Sequence, residues 1–419
     1  MKRIVIRGGR RLEGSINISG AKNAALPIIA ASLLTREKVV LDNIPKLGDV
    51  QTMIELVRSI NAKIGFIDSN TIEIKADKLS VNALSDNILV SKVRYSLHLI
   101  GALLSRFPLV RIPLPGGCKI GTRRIDSFML GLTKLGAKID VKSGHIQAKV
   151  DELQGCRIKL MYPSVCATEN ILMAGCLARG NTIVENVARE PEIVDLANFL
   201  NSMGANISGA GSNIITIKGV EKLEGTEYSV IPDRVETGTY MVAVAITNGD
   251  VLLRNTDVGL LKSVVLKLRE VGVKIEEVDS GVRVTSSGNP LPVDIVTEVY
   301  PGFPTDMQPI ITPLLSLANG KSTIKETIFL SRFNHVPELR KMGALIRLGK
   351  GMMFIKGVNE LKGANVNALD IRSGGSLVIS GLNAKKETVI DNAYEIFRGY
   401  ENLVEKLNSV GAKLYTTDY

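Results

Sequence analysis

Hydrophobic and polar residues recur along this chain in one repeated order. A small-residue apolar stretch typical of a helix is followed by a polar turn and by an alternating stretch typical of a strand. The pattern occurs as LTREKVVLDN, LARGNTIVEN, ITNGDVLLRN, LANGKSTIKE and LNAKKETVID, and more loosely as SRFPLVRIPL. It predicts an α/β protein built from similar units.

A second pattern marks the end of a further helix in each unit. An apolar residue is followed by glycine or, in one copy, asparagine, and then by a short strand pattern. Glycine at this place is typical of a helix end with left-handed backbone, at a spacing here of about 70 residues. The six copies are SINAKI at Asn61, KLGAKI at Gly136, SMGANI at Gly204, EVGVKI at Gly272, KMGALI at Gly343 and SVGAKL at Gly411.

Six such units account for nearly the whole chain and group most simply as two domains of three units each. The alternative is an open repeat array that serves as a scaffold. The units carry different long loops rich in glycine, proline and charge. Loops of this kind on a rigid scaffold are where functional sites are usually built, so the pattern favours an enzyme or a binding protein.

Composition agrees with a multidomain globular protein. The chain has 419 residues, of which 45% are hydrophobic and 22% charged. The apolar stretch 24–34 is too short to span a bilayer and is interrupted by Pro27 and Ser32. The start MKRIVIRGGR lacks the apolar core of a signal peptide. We therefore expect a cytoplasmic protein without a membrane partner.

The net charge of +10 indicates anionic partners. Lysine and arginine are dispersed, aromatic residues make up 4% and tryptophan is absent, so small anionic substrates are favoured over nucleic acid. The four cysteines include no CxxC pair and the three histidines are scattered. This pattern fits neither a zinc site nor a disulfide framework, and we expect reduced thiols and no metal.

The strongest candidate for chemistry is Cys118, in the segment LPGGCKIGTRRID at residues 114–126. Three glycines and three cationic residues surround it. Positive neighbours lower the pKa of a thiol and also attract phosphate. The alternative is a structural cysteine in a surface turn.

Three further segments carry candidate residues. Lys22 and Asn23 stand in SGAKNAALPI at a predicted helix start, which suits an anion, although a solvated lysine beside a helix end is equally compatible. Asp306 in PGFPTDMQP is either a helix cap or a general base. Arginine forks match phosphate oxygens, although a single loop arginine is ordinarily solvated. The arginines in question are Arg94, Arg234, Arg332, Arg372 and Arg398.

These segments together resemble the UDP-N-acetylglucosamine enolpyruvyl transferases. The motifs SGAKNAALP, LPGGCKIGTR, AREPEIVD, PDRVETGT, PGFPTDMQ, HVPEL and RGYE stand in that order between Arg3 and Leu414. The resemblance implies a two-domain inside-out α/β barrel, the enolpyruvyl transferase fold, with six βαβαββ units. Residues 1–21 with 233–419 would form one domain, closed by the N-terminal strand. Residues 22–232 would form the other, which carries the Cys118 segment.

The resemblance also implies an activity. The enolpyruvyl group of phosphoenolpyruvate would be transferred to the 3′-hydroxyl of UDP-N-acetylglucosamine with release of phosphate, the first committed step of peptidoglycan precursor synthesis. Asp306 would act as the base. Cys118 would act as the acid at the methylene carbon, with a covalent adduct as a side branch. No cofactor is implied, and oligomeric state is left open.

The resemblance assigns the remaining residues to substrate binding. Lys22, Arg123 and Arg398 would hold phosphate and carboxylate, and Lys22 and Arg398 count with Cys118 and Asp306 as catalytic. Arg332 and Arg372 would bind substrate. The nucleotide sugar would contact Asn23, Arg94, Arg123, Arg124, Ile125, Asp126, Ser127, Ser164, Val165 and Ile328.

Several positions depart from the family's usual residues, which leaves a second reading open. A paralogue that uses another sugar nucleotide would also fit. The departures are Arg124, Ser127, Phe128, Cys166, Leu330, Ser331 and Phe397. The shikimate-pathway transferase is disfavoured because its Gly-Asn-Ala-Gly-Thr stretch is absent. RNA 3′-phosphate cyclase, a more remote alternative, needs a histidine near the C-terminus, whereas the last one here is His335. A binding protein without turnover is disfavoured by the intact catalytic set.

Overall fold

The computed structural model describes residues 2–116 and 125–418, which form two compact units of mixed α/β structure. Residues 2–19 and 232–418 form the first, called here the C-terminal unit, and residues 20–116 and 125–231 form the N-terminal unit. Each unit encloses a hydrophobic core of its own. Within the described ranges, no helix has both the length and the apolar character needed to cross a membrane.

The strands are short, and most have five residues. They are β1 (Lys2–Arg7), β2 (Glu13–Asn17), β3 (Lys38–Asp42), β4 (Lys63–Phe66), β5 (Ile72–Lys75), β6 (Leu109–Pro113), β7 (Lys138–Lys142), β8 (His145–Lys149), β9 (Arg157–Lys159), β10 (Asn181–Glu185), β11 (Asn206–Ser208), β12 (Ile214–Lys218), β13 (Glu227–Ser229), β14 (Asp250–Arg254), β15 (Lys274–Val278), β16 (Gly281–Thr285), β17 (Ile295–Val296), β18 (Lys321–Lys325), β19 (Leu345–Gly349), β20 (Met352–Lys356), β21 (Asn365–Asn367), β22 (Glu387–Asp391) and β23 (Leu414–Asp418).

The helices alternate with these strands. They are α1 (Lys22–Ala31), α2 (Gly48–Ser59), α3 (Ile88–Lys92), α4 (His98–Leu104), α5 (Asp126–Lys134), α6 (Val165–Cys176), α7 (Pro191–Ser202), α8 (Arg234–Ile246), α9 (Lys262–Val271), α10 (Gln308–Leu315), α11 (His335–Lys341), α12 (Ile371–Asn383), α13 (Tyr394–Phe397) and α14 (Leu403–Ser409). Two 3-10 helices, Arg94–Leu97 and Thr305–Met307, carry predicted site residues.

The predicted βαβαββ unit is seen most directly in the sheet β17-β18-β20-β19. Strand β17 pairs parallel to β18, and β20 pairs antiparallel to both β18 and β19. A parallel pair needs a crossover, which α10 supplies, and α11 leads into the hairpin β19–β20. The other described sheets follow the same scheme, and β6-β8-β7 has three strands.

Strands from distant parts of the chain complete three of the described sheets. In the C-terminal unit, β1 pairs antiparallel with both β22 and β23, and β2 pairs parallel with β14. In the N-terminal unit, β13 pairs parallel with β3. The ends of each unit are therefore joined by hydrogen bonding between strands.

The first helix of each repeat is buried on almost every face. In the C-terminal unit α8, α10 and α12 contact one another, and in the N-terminal unit α4 contacts both α1 and α6. Nearly every residue of these helices is buried. These helices therefore form the interior of each unit.

The predicted left-handed positions are confirmed at the end of the second helix in all six repeats. Their φ values lie between 68° and 105°. Glycine adopts this conformation without a Cβ clash, and asparagine is among the residues that tolerate it best. The six residues are Asn61, Gly136, Gly204, Gly272, Gly343 and Gly411.

Candidate functional site

Asp306 lies in the 3-10 helix Thr305–Met307, between two buried arginines. Arg332 Nη1 is 2.7 Å from Asp306 Oδ1, and Arg372 Nε is 3.3 Å from Oδ2. The N-cap of α10 is Met307, with no side-chain capping bond. Asp306 is therefore held by ion pairs rather than serving as the cap that its sequence context also allowed.

The two arginine side chains are only 4% and 5% exposed, whereas that of Asp306 is 28% exposed. The guanidinium of Arg372 also lies over the Tyr400 ring, 5.4 Å from its centroid. Arg332 Nε and Arg372 Nη1 are buried without a hydrogen-bond partner among the described residues. Because buried donors are normally satisfied, these two mark a place suited to an acceptor-rich ligand.

Glu326 organises the chain around Asp306 and was missed by sequence reasoning. Its carboxylate is buried and accepts hydrogen bonds from the hydroxyls of Thr297 at 2.9 Å and Thr305 at 3.0 Å. It also accepts from the backbone N–H groups of Ile328 and Phe329, each at 2.9 Å. Thus Ile328, which is predicted to contact the nucleotide sugar, and Thr305, the neighbour of Asp306, both donate hydrogen bonds to the Glu326 carboxylate.

Lys22 is the first residue of α1 and is buried, with 4% of its surface exposed. Its ammonium group is 3.3 Å from Asp49 Oδ2 and 5.8 Å from the centre of the Tyr95 ring. The Tyr95 hydroxyl donates to Asn23 Oδ1 at 2.7 Å. A solvated lysine is excluded, and Tyr95, which the sequence did not single out, links the two predicted residues.

The buried pair His98 and Glu169 holds Tyr95 in position. The His98 ring stacks on that of Tyr95 at 5.6 Å, and its Nδ1 lies 2.9 Å from the Tyr95 carbonyl oxygen. His98 Nε2 is 2.5 Å from Glu169 Oε2. Burial lowers the pKa of His98, but the Glu169 carboxylate outweighs it and leaves this pKa above its ordinary value. Burial raises the pKa of Glu169. His98 thus has a structural role, since it supports Tyr95.

The remaining predicted residues of the N-terminal unit lie at helix starts. Arg94 begins a 3-10 helix, Asp126 begins α5 and Ile125 is the N-cap residue before it; all three are half-buried. Ser127 is buried, and its hydroxyl has no hydrogen-bond partner among the described residues. The Ser164 side chain accepts from the Ala167 N–H at 3.4 Å and so caps α6, of which Val165 is the first residue.

Arg398 follows α13 in the C-terminal unit. Its Nη1 is 2.6 Å from Glu395 Oε2, and its side chain is 13% exposed. Three predicted residues, Cys118, Arg123 and Arg124, lie outside the described residues.

Two of the other cysteines carry raised thiol pKa values. Complete burial raises the pKa of Cys176 to about 12. Burial also raises the pKa of Cys156, which is only partly covered. Both thiols are therefore poorly reactive.

His335 offers a pH-dependent test of the core beside Asp306. It is 1% exposed, its Nε2 is 3.3 Å from the Thr312 hydroxyl, and burial lowers its pKa to about 3 from an ordinary 6.5. Below pH 6.5 the unfolded chain binds a proton that the folded chain does not, so stability is lost as pH falls. Relative to His335→Gln, the wild-type protein should lose about 2 kcal/mol of unfolding free energy between pH 7 and pH 5.

Denaturant unfolding of both proteins at the two pH values measures this difference. The comparison cancels the titration of other groups, which both proteins share. Equal pH dependence would show that His335 is not held neutral in the folded state.

Comparisons with known proteins extend over the whole chain. The family model for EPSP synthase (3-phosphoshikimate 1-carboxyvinyltransferase) matches residues 6–407. The UDP-N-acetylglucosamine 1-carboxyvinyltransferase 1 of Caldanaerobacter subterraneus subsp. tengcongensis is 48% identical over 413 residues, 99% of each chain. The protein of the same name from Carboxydothermus hydrogenoformans is 48% identical over 414 residues, 99% of this chain and 98% of its own.

Two solved structures share the fold. The enolpyruvyl transferase NikO from Streptomyces tendae has a TM-score of 0.87 at 23% identity and covers 99% of both chains. EPSP synthase from Acinetobacter baumannii has a TM-score of 0.76 at 18% identity and covers 100% of both chains. At these identities the likeness concerns the fold alone, and the fold class predicted from the sequence is confirmed.

Proposed function

Since this chain belongs to the EPSP synthase family, and within it to the UDP-N-acetylglucosamine 1-carboxyvinyltransferases, we propose that it transfers the enolpyruvyl group of phosphoenolpyruvate to UDP-N-acetylglucosamine. The 3′-hydroxyl of the sugar is the acceptor and phosphate is released. The observation that carries this proposal is 48% identity over nearly the full length of relatives with that name. The reaction opens peptidoglycan precursor synthesis, and a cytoplasmic location is part of the proposal.

We propose Asp306 as the base of this reaction. An alcohol attacks carbon more readily when its proton is removed as the bond forms. Arg332 and Arg372 stabilise the carboxylate form of Asp306 and orient it, while more than a quarter of its side chain stays exposed. The arrangement supports proton acceptance at a fixed point.

Cys118 is the proposed acid, on the strength of its cationic, glycine-rich segment. Its thiol gives a proton to the methylene carbon of phosphoenolpyruvate while the sugar oxygen bonds to the neighbouring carbon. The resulting tetrahedral adduct then loses a proton from the methyl group and expels phosphate, which restores the double bond. Attack by the thiolate at the same neighbouring carbon gives the covalent side branch.

The cationic residues are proposed to bind the negatively charged groups of the substrates. Lys22, Arg123 and Arg398 hold the phosphate and carboxylate of phosphoenolpyruvate. Arg332 and Arg372 bind substrate beside Asp306. Buried cations act strongly on anions because little water screens them. The residues proposed for the nucleotide sugar are Asn23, Arg94, Arg123, Arg124, Ile125, Asp126, Ser127, Ser164, Val165 and Ile328.

The test is phosphate release by the purified protein supplied with phosphoenolpyruvate and one acceptor at a time. UDP-N-acetylglucosamine should support release together with an enolpyruvyl product of the expected mass. Other sugar nucleotides and shikimate 3-phosphate serve as competing acceptors. Release with a different sugar nucleotide alone would favour a paralogue of altered specificity, and no release with any acceptor would contradict the enzyme.

A further inference from the structure

Glu326 occupies a place that other repeats give to asparagine. In four sheets, the residue directly after the second strand of the βαβαββ unit is an asparagine with left-handed backbone, at φ between 52° and 59°. These residues are Asn43 after β3, Asn186 after β10, Asn255 after β14 and Asn392 after β22. In the sheet beside Asp306 the corresponding strand is β18, and the residue after it is Glu326.

The asparagines share one structural role. Each donates its side-chain amide to the backbone carbonyl directly after the neighbouring parallel strand, at 2.8–2.9 Å. Glu326 also faces the residue after its parallel neighbour β17, which is Thr297. Here the direction is reversed, because the Glu326 carboxylate accepts from the Thr297 hydroxyl.

The exchange adds contacts that an asparagine cannot make. The Glu326 carboxylate accepts at Oε1 from the Thr297 hydroxyl and from two backbone N–H groups, and at Oε2 from the Thr305 hydroxyl. Asparagine is one methylene shorter and has a single acceptor oxygen. With asparagine at this place, the N–H groups of Ile328 and Phe329 and the Thr305 hydroxyl would lose their common partner.

We propose that Glu326 is a positioning residue, which holds Asp306 and Ile328 in their working geometry. Glu326 is connected to Asp306 through Thr305 and Arg332. The Thr305 hydroxyl donates to Glu326, and Arg332 Nη1 contacts both this hydroxyl at 3.1 Å and Asp306 Oδ1 at 2.7 Å. Ile328 is connected to Glu326 directly, because its backbone N–H donates to the Glu326 carboxylate. The inference rests on the proposed function, which gives these two residues their roles.

Glu326→Asn restores the residue that the repeat ordinarily carries, so it tests the site while sparing the fold. It should lower kcat by about a hundredfold, since misplacement of a catalytic group by about 1 Å has an effect of this size. The KM for UDP-N-acetylglucosamine should rise about tenfold through Ile328, with the KM for phosphoenolpyruvate within about twofold of wild type. Glu326→Gln keeps the length and one acceptor oxygen, and should retain kcat within about fivefold.

Asn255→Ala is the matched control, because it removes the repeat contact in another sheet. It should lower the melting temperature and leave kcat and both KM values unchanged. Wild-type kinetics in Glu326→Asn, or equal impairment of Glu326→Gln and Glu326→Asn, would overturn the inference. If Glu326→Asn does not fold, Thr305→Val decides: a kcat about tenfold lower supports the inference, and an unchanged kcat overturns it. Failure of the proposed function is separate, since it shows as absent phosphate release in the wild-type protein.

Discussion

Asp306→Asn should lower kcat by about a thousandfold while the protein stays folded and still binds the nucleotide sugar. Asparagine has the same shape and keeps one oxygen for Arg332 or Arg372, but it cannot take up the proton of the attacking hydroxyl. Loss of the negative charge leaves two buried guanidinium groups with less compensation, so some stability should be lost as well. The catalytic loss should greatly exceed what the fraction of unfolded protein explains.

Steady-state kinetics, with calorimetric binding of UDP-N-acetylglucosamine, separates these effects. Asp294→Asn is the matched control in the same unit, because that exposed carboxylate accepts from the N–H and hydroxyl of Thr323 and directly precedes β17. It should leave kcat unchanged. An Asp306→Asn protein with wild-type kcat would rule out Asp306 as the base.

Cys118→Ser should abolish covalent labelling by fosfomycin, an epoxide that mimics phosphoenolpyruvate, and should lower kcat by about a hundredfold or more. A serine hydroxyl is a much weaker acid than a thiol and a much weaker nucleophile at neutral pH. In the wild-type protein we expect one adduct, at Cys118, promoted by the nucleotide sugar. The raised thiol pKa values of Cys156 and Cys176 make these residues poor competitors.

Intact mass measurement and peptide mapping locate the adduct. Cys156→Ser is the control, since it removes a partly covered thiol and should leave both labelling and turnover unchanged. Labelling of Cys156, Cys166 or Cys176 to the same extent as Cys118 would mean that Cys118 is not specially activated.

The repeat architecture was predictable because its signals are local. The alternating strands, the apolar inner helices and the left-handed glycines each depend on residues only a few positions apart. Asn61 shows the strength of this signal, since it takes the glycine position of one repeat and has φ of 68°. Motif order then identified the family and named Lys22 and Asp306 as candidates.

The surroundings of those candidates were not predictable in the same way. Asp306 meets Arg332 and Arg372 from 26 and 66 positions further along the chain, and Tyr95 reaches Asn23 from 72 positions away. The sequence did show that Glu326 is unusual, because LANGKSTIKE ends in glutamate where LTREKVVLDN, LARGNTIVEN and ITNGDVLLRN end in asparagine. The structural role of this difference became apparent only from the hydrogen bonds of Glu326.

Residue types and their spacing thus established the α/β repeat fold and the family and predicted the reactive groups, since short-range conformational preferences and motif order suffice for these. The role of Cys118 is likewise a prediction from its sequence segment. Folding of distant segments against one another established that Lys22 is buried, that Asp306 is an ion-pair partner rather than a cap, and that Glu326 links it to Ile328. Burial and hydrogen-bond partners depend on which segments meet, and that is a property of the packed chain.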